Sequence, residues 1–385
     1  MIARTPEEFR EAGLDVRINT RAAGADLRQR TVSLSDGTTL PYDFLVLATG
    51  SIPRLPDIPG IEREGVFTLK NYTDALRIKA YLQNRPCRKA AIVGAGFIAM
   101  EMAESFQSRG LETTVVYRGS LPARRWDREF GKLLLQELNR QSVTFLAEQE
   151  PVAIEEGVNN RLRLITNQEE LDVDLVLFSL GVRPNVQLAA DMGVKLGNSG
   201  AIKVNFSQAT DSEGVYAAGD CSEVFHRICK RYTNMPLGDL ANKQGRVVGR
   251  NIGGDAASFP GVVGAQSFKL FNLEVAATGI DEQEATSCGY HPVSTVIWGK
   301  AIPGMMPAAK QVGIKLVADS TTGKLLGAQA LGEMGAVSRI NVLSCALWGG
   351  MDLDDLSHLD LAYAPPFSSA WDVIHIAAQN LRKKL

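Results

Sequence analysis

The chain has 385 residues, 45% of them hydrophobic, with 41 Lys+Arg against 43 Asp+Glu and a net charge of −2. That length accommodates two or three domains, and the charge balance offers no electrostatic footprint for nucleic acid or for an anionic membrane surface. The longest apolar runs, such as residues 90–100, fall well short of the ~20 residues of a membrane-spanning helix, and the N-terminal residues 1–9 contain no apolar leader.

Residues 42–50, Tyr-Asp-Phe-Leu-Val-Leu-Ala-Thr-Gly, read as an apolar strand closing in a small-residue turn at Thr49 and Gly50. A second strand is predicted over 89–93, followed by Gly94-Ala-Gly96-Phe97-Ile98-Ala99 and an amphipathic stretch to Arg109. Ile98, Met102 and Phe106 share one face of that stretch, and Gly110 suits its C′ position. The β-branched run 113–117 completes a βαβ unit. In its Gly-x-Gly-x-x-Ala turn, Gly94 permits the tight bend, Gly96 admits a pyrophosphate to the backbone, and Ala99 keeps the helix close to the strand.

In such units a carboxylate ~20 residues past the glycines binds the ribose 2′-OH of NAD. Tyr117 stands there instead, with Arg118, Arg124 and Arg125 behind it, so a 2′-phosphate is welcome and NADPH is favoured over NADH. The other reading of these arginines is a solvated loop facing Asp127 and Glu129. Further strands are predicted over 173–179 and 214–218, the latter ending in Gly219-Asp220. An Asp there is either a cofactor acceptor or the N-cap of a following helix. Beyond about residue 254 the segments become shorter and more β-like (267–278, 312–317, 324–331), then two helices follow over roughly 335–348 and 369–381. A separate α+β domain is expected from about 257.

The five cysteines, Cys87, Cys221, Cys229, Cys288 and Cys345, are odd in number and scattered without Cys-x-x-Cys, so no disulfide framework is predicted. Buried, inert thiols are the expectation, against a redox pair of Cys221 and Cys229. His226, His291, His358 and His375 lack any metal-binding spacing, and no metal is expected. A cytoplasmic protein follows from these features together.

Seven segments, 42–50, 94–104, 181–184 (Gly-Val-Arg-Pro), 210–220, 240–246, 326–329 and 361–369, occur in the order found in one family. The chain resembles the FAD-dependent pyridine nucleotide-disulfide oxidoreductases, within them the coenzyme A-disulfide reductases, NADH oxidases and NADH peroxidases. The resemblance implies Rossmann-like doubly wound α/β nucleotide-binding domains, the first one truncated, and a C-terminal α+β dimerisation domain that makes a homodimer. It divides the chain into FAD-binding pieces at 1–72 and 191–256, an NAD(P)H-binding domain at 73–190 and a dimerisation domain at 257–385. Asp220 would then bond the ribityl chain of FAD, with Gly219, Thr49 and Gly50 near its pyrophosphate or flavin. Leu240, Ala241, Asn242 and Gln244 would line the isoalloxazine. Phe97 would cover the nicotinamide pocket and Glu101 lie near the ring, with Ile98, Ala99, Gly181, Val182 and Arg183 also at the nucleotide. For Phe97, an ordinary core position is an equal alternative.

Family members carry an earlier glycine-rich βαβ unit and a catalytic cysteine, and this sequence starts downstream of both. Loss of that unit removes the helix N-terminus that neutralises the FAD pyrophosphate and exposes a sheet edge. Two expected active-site tyrosines are replaced by Ala301 and Ile302, while Tyr363 remains. The sequence therefore reads as a flavin-dependent NAD(P)H oxidoreductase that passes electrons to O2, a disulfide or another small acceptor. The alternative is a non-catalytic NAD(P)H-binding dimeric remnant or truncated gene product.

Overall fold

The computed structural model describes residues 5–385; Met1–Arg4, part of the N-terminal stretch 1–9 read above, lie outside the described residues. The chain forms two compact units. The first takes in the chain through Ser51, Pro184–Phe225 and Tyr232–Pro260; the second comprises Ile52–Arg183, His226–Arg231 and Gly261–Leu385.

In the first unit, strands Ala22–Asp26, Thr31–Leu34 and Thr39–Pro41 form an antiparallel sheet. Leu45–Leu47 pairs in parallel with Val215–Ala217, far shorter than the run 42–50 predicted. Leu47, Val215 and Ala217 enter the unit's core, whereas Phe44 (49%) and Val46 (39%) remain exposed. The helix Gly238–Ile252 buries Leu240, Gln244 and Val248, one stripe at four-residue spacing.

The second unit contains the glycine turn. Val66–Thr68 (β1), Lys89–Val93 (β2), Glu112–Tyr117 (β3), Thr144–Ala147 (β4) and Leu175–Phe178 (β5) form a five-stranded parallel sheet in the order β1-β5-β2-β3-β4. Parallel neighbours need crossovers, supplied between β2 and β3 by Phe97–Gln107 (α1) and between β3 and β4 by Arg128–Arg140 (α2). β2 and β5 are apolar on both faces because helix and sheet cover both. The predicted strand 173–179 is interrupted at Asp174, whose carboxylate accepts the Arg88 and Lys89 N–H groups (2.6 and 2.8 Å) instead of continuing the ladder. The buried stripe of α1 is Ala99, Met100, Ala103 and Phe106; of the expected Ile98, Met102 and Phe106 only Phe106 belongs to it. Small residues let the helix sit close to the sheet, rotating Ile98 and Met102 to its margin. The helix stops at Gln107, earlier than Arg109, and Gly110 takes the left-handed φ of 80° beyond the cap.

The C-terminal part of this unit is an antiparallel sheet of Gln266–Leu270 (β6), Leu273–Gly279 (β7), Pro292–Lys300 (β8), Gln311–Asp319 (β9) and Leu325–Gly332 (β10), ordered β6-β7-β10-β9-β8. The predicted segment 267–278 is thus a hairpin of two strands. Ala336–Gly349 and Val373–Arg382 supply the two helices expected near the C-terminus, and the short Glu282–Ser287 (α3) precedes β8. Phe268, Leu270, Val275 and Leu331 share one hydrophobic cluster with Ile92, Met100 and Phe130, joining this sheet to the parallel one. Ala301 and Ile302 are buried (1% and 3% exposed).

Cys229 and Cys288 form a disulfide across 59 residues of sequence. This corrects both expectations for Cys229, an inert thiol or a partner of Cys221, and removes these two residues from the argument for a reducing compartment. The bridge depends on a tertiary approach that spacing alone does not reveal. Cys221 is buried, its thiol contacting the Leu47 and Ala218 carbonyls, and Cys345 is an exposed thiol rather than a buried one. Among the described residues no helix is long and apolar enough to cross a membrane, and no cluster of three metal-ligating groups occurs.

His226 is 3% exposed, and its Nδ1 accepts the Cys229 N–H at 3.3 Å. Burial, then the charges of Arg125 and Arg231, hold its pKa at about 4 against an ordinary 6.5. The unfolded chain therefore binds a proton between those values and the native chain does not. The stabilisation is complete above pH 6.5 and is lost as pH falls toward 4, by about 3 kcal/mol at most. Urea titrations of His226→Gln beside the parent should show that the substitution removes this part of the acid-induced loss. Parallel stability–pH curves for the two proteins would contradict it.

Candidate functional site

The strand order of the parallel sheet reverses between β2 and β5, and ligands of open α/β sheets bind beyond the strand ends at such a point. Here Gly94 and Ser179 follow those two strands. Gly94 N–H donates to Val116 O (2.9 Å) and Ser179 N–H to Val93 O (2.8 Å), so the ladder persists to the edge. Gly94 has φ +114°, and a Cβ there would stand 2.2 Å from Ser179 O. Gly96, extended with φ −79°, is the N-cap of α1 and has open space where its Cβ would lie. The first N–H groups of α1 thus face a cavity of ≈ 550 Å³ at the sheet edge.

Gly94, Gly96, Tyr117, Arg118, Arg124 and Gly181 line this cavity, as do Arg54, Gln149, Glu150, Ser179 and Leu180, which sequence reasoning did not single out. The carboxyl-end rule applied to β4 and β5 points to the last four. For Arg54 there was no local signal; its N–H reaches Gly181 O (2.9 Å) and its Nε Val182 O (3.0 Å), fixing the Gly181 turn. Ala99 is fully buried between helix and sheet, a spacer role, and Ile98, Val182 and Arg183 are not among the lining residues. Phe97 is 38% exposed, so its core alternative does not hold. Glu101 lies on α1 with much of its surface in solvent, but partial desolvation of its carboxyl, and then the charge of Glu104, raise its pKa. Tyr363 is 53% exposed and outside the cavity.

The loop carrying Arg124 is fastened on both sides. Ala123, at a left-handed φ of 53°, donates its N–H to Ala95 O in the glycine turn (2.8 Å). Trp126 Nε1 donates to Ala276 O (3.4 Å), and the Asp127 N–H donates to Gln329 Oε1 (2.7 Å), whose Nε2 returns to Arg125 O (3.3 Å). Lys315, 4% exposed, is ion-paired with Asp127 and, at 2.6 Å, with Glu282. Burial alone would lower the Lys315 pKa, but the two carboxylates outweigh it and hold the ammonium charged. Asp127 and Glu282 are correspondingly held below the ordinary carboxylate range, Lys315 overcoming their own burial. Of the two carboxylates weighed against Arg124, Asp127 is committed to Lys315 and caps α2.

In the first unit, the carboxyl ends of Leu45–Leu47 and Val215–Ala217 form a second cradle. Thr49 Oγ1 donates to Asn185 O (2.6 Å), and the Gly50 carbonyl accepts the Asn185 N–H (2.9 Å). Asp220 Oδ2 accepts from Ser51 Oγ (2.7 Å). No helix follows Asp220 directly, so the N-cap alternative does not hold. Gly219, at φ +83°, donates to Gln244 Oε1 (2.8 Å), and Gln244 Nε2 donates to Glu223 O (3.2 Å). Gln244 is thus consumed as a buried prop, while Leu240 is buried, Ala241 half-buried and Asn242 exposed on the same helix. Gly50, at φ +69° with open space at its Cβ position, and the Asp220 carboxylate at the strand ends suit a polyhydroxylated cofactor such as FAD.

A glycine turn at the switch point of a parallel sheet, joined to an antiparallel C-terminal domain, defines a dinucleotide-dependent oxidoreductase architecture. Residues 3–245 match the family profile described as pyridine nucleotide-disulphide oxidoreductase, and residues 265–373 match its dimerisation domain. The chain is 36% identical over 380 residues to the CoA-dependent NAD(P)H sulfur oxidoreductase of Pyrococcus abyssi, covering 98% of this chain and 84% of that protein. It superposes on an NAD-dependent persulfide reductase from A. fulgidus with a TM-score of 0.95 and 35% identity, covering 100% of this chain and 72% of the other. An engineered water-forming NADPH oxidase bound to NADPH gives a TM-score of 0.94 at 26% identity, over 99% and 86% of the respective chains. The chain belongs to the pyridine nucleotide-disulphide oxidoreductases, and it is an enzyme of the flavin-dependent NAD(P)H oxidoreductase class.

Proposed function

We propose that the chain oxidises NADPH in preference to NADH and delivers the electrons through FAD to dioxygen or a comparably small acceptor. When bound, the nicotinamide supplies a hydride and the flavin accepts it and passes on the electrons. The residues of this chain bind and orient. The N–H groups at the start of α1 take the pyrophosphate, and Gly94 and Gly96 leave it room. Phe97 and Glu101 border the nicotinamide. In the first unit, Thr49, Gly50, Gly219 and Asp220 hold the flavin, with Leu240, Ala241 and Asn242 beside its ring and Gln244 bracing Gly219. The domain division is 1–72 and 191–256 for FAD, 73–190 for NAD(P)H and 257–385 for a homodimer interface in which Tyr363 takes part.

The observation that carries the NADPH preference is the pair Arg118 and Arg124 lining the cavity beyond Tyr117, where NAD-binding folds place a carboxylate. A second reading, NADH, is favoured by Glu150, the one carboxylate in the lining, which could accept the ribose 2′-OH. Reduction of FAD-loaded protein, followed as bleaching of flavin absorbance, distinguishes them. Arg118→Glu is expected to weaken NADPH roughly tenfold to a hundredfold, the worth of a charge-assisted hydrogen bond, and to leave NADH little changed. An unaltered NADPH preference, or selective loss of NADH in Glu150→Gln, would establish the second reading. No bleaching by either nucleotide would sink both.

A further inference from the structure

The Cys229–Cys288 disulfide lies outside both cradles. Residues 226–231 form a short excursion assigned to the second unit although the chain on either side belongs to the first. The disulfide ties this excursion to Cys288, the C-cap residue of α3. Both half-cystines are partly accessible. Packing also holds them together: Ile228, Cys229 and Tyr290 contact a cluster of Ile280, Ala285, Val317 and Leu326, Tyr290 Oη donates to Ile228 O (2.7 Å), and Arg231 pairs with Glu284 (3.4 Å). The two sulfurs therefore remain neighbours when the bond is cut.

We propose that Cys229–Cys288 is a thiol-exchange site that takes a low-molecular-weight monothiol and forms a mixed disulfide on Cys288. The surroundings set the direction. Cys229 is followed directly by the exposed cation Lys230, with Arg227, held against Trp348, and Arg231, paired with Glu284, two residues to either side; this net-positive segment favours a departing thiolate. Cys288 caps the carbonyl end of α3, its N–H bonded to Glu284 O and Ala285 O, where a thiolate is disfavoured. A monothiol RSH, as its thiolate, attacks Cys288 Sγ; the Cys229–Cys288 bond breaks and the electron pair leaves on Cys229, which takes up the proton. A second RSH attacks the mixed disulfide, releasing RSSR and leaving Cys288 as a thiol. Two monothiols are oxidised to one disulfide and the protein bridge is reduced to two thiols.

The test uses the full chain and reduced glutathione as the probe. Air-exposed protein is expected to show three thiols after denaturation, Cys87, Cys221 and Cys345, out of five cysteines. Native protein treated with excess glutathione should show all five. Quenching midway should trap the adduct on the Cys288 peptide, and oxidised glutathione should restore the bridge. Cys229→Ser, incubated with oxidised glutathione, should hold a stable adduct at Cys288. Five thiols in the air-exposed protein would overturn the proposal. So would a bridge that glutathione leaves intact in the native state, or an adduct found on Cys229 instead.

Discussion

Gly94→Ala is expected to lower stability by about 3 kcal/mol and to abolish measurable NAD(P)H binding, a weakening of at least about a hundredfold. A φ of +114° strains an L side chain by ~1–3 kcal/mol on its own. The new Cβ would also meet Ser179 O at 2.2 Å and Ser179 C at 2.8 Å. Both are backbone atoms held in the sheet by the Ser179 N–H to Val93 O bond, so no rotamer change relieves the clash. The ends of β2 and β5 must separate, and the cavity is built between them. Gly96→Ala is the control. Its φ of −79° is ordinary and its Cβ meets nothing, so stability should change by less than about 1 kcal/mol. That Cβ projects into the open space where we propose the pyrophosphate binds, so nucleotide affinity should still fall. Thermal unfolding with nucleotide titration checks the pair; normal binding by Gly94→Ala would refute the placement of the site.

Lys315→Met is expected to cost about 3 kcal/mol and to raise the KM for NADPH while changing kcat less. Removing one partner of a buried ion pair leaves charge uncompensated, at ~3–5 kcal/mol when burial is complete. The lower end applies because Asp127 and Glu282 keep 24% and 36% of their side-chain surface in solvent. The effect reaches the cavity because Asp127 anchors the loop that presents Arg124. Lys315→Arg retains the charge and should recover most of both losses, and the double variant Lys315→Met with Asp127→Asn should be less destabilised than the sum of the singles. Destabilisation with an unchanged KM would show that Lys315 supports only the fold. A KM effect equal for NADH and NADPH would place the loop's influence on the shared part of the nucleotide.

The residues from Lys89 to Tyr117 announced themselves because strand, turn and helix there are each set by local chemistry: β-branched runs, glycines at special φ and small residues on the packed face. The shift of the buried stripe of α1 from Ile98, Met102 and Phe106 to Ala99, Met100, Ala103 and Phe106 is a tertiary effect. Alanines count weakly in a hydrophobic pattern, yet they allow the closest approach to the sheet. The break of 173–179 at Asp174 likewise required knowing that two N–H groups from another strand's start would claim its carboxylate.

The order of its motifs and the glycine turn at Gly94 let the sequence by itself determine the family and the nicotinamide-nucleotide class, and point to Arg118 and Arg124, which line the cavity beyond Tyr117. It did not contain the partnerships between distant segments. That Gln244 braces Gly219, that Lys315 steadies the Arg124 loop from 188 residues away, and that Cys229 meets Cys288 rather than Cys221 were decided only by the tertiary structure. The physical reason is common to all three. Each interaction is worth little to the local chain and becomes defined only when packed elements bring its partners within bonding distance and exclude water from between them.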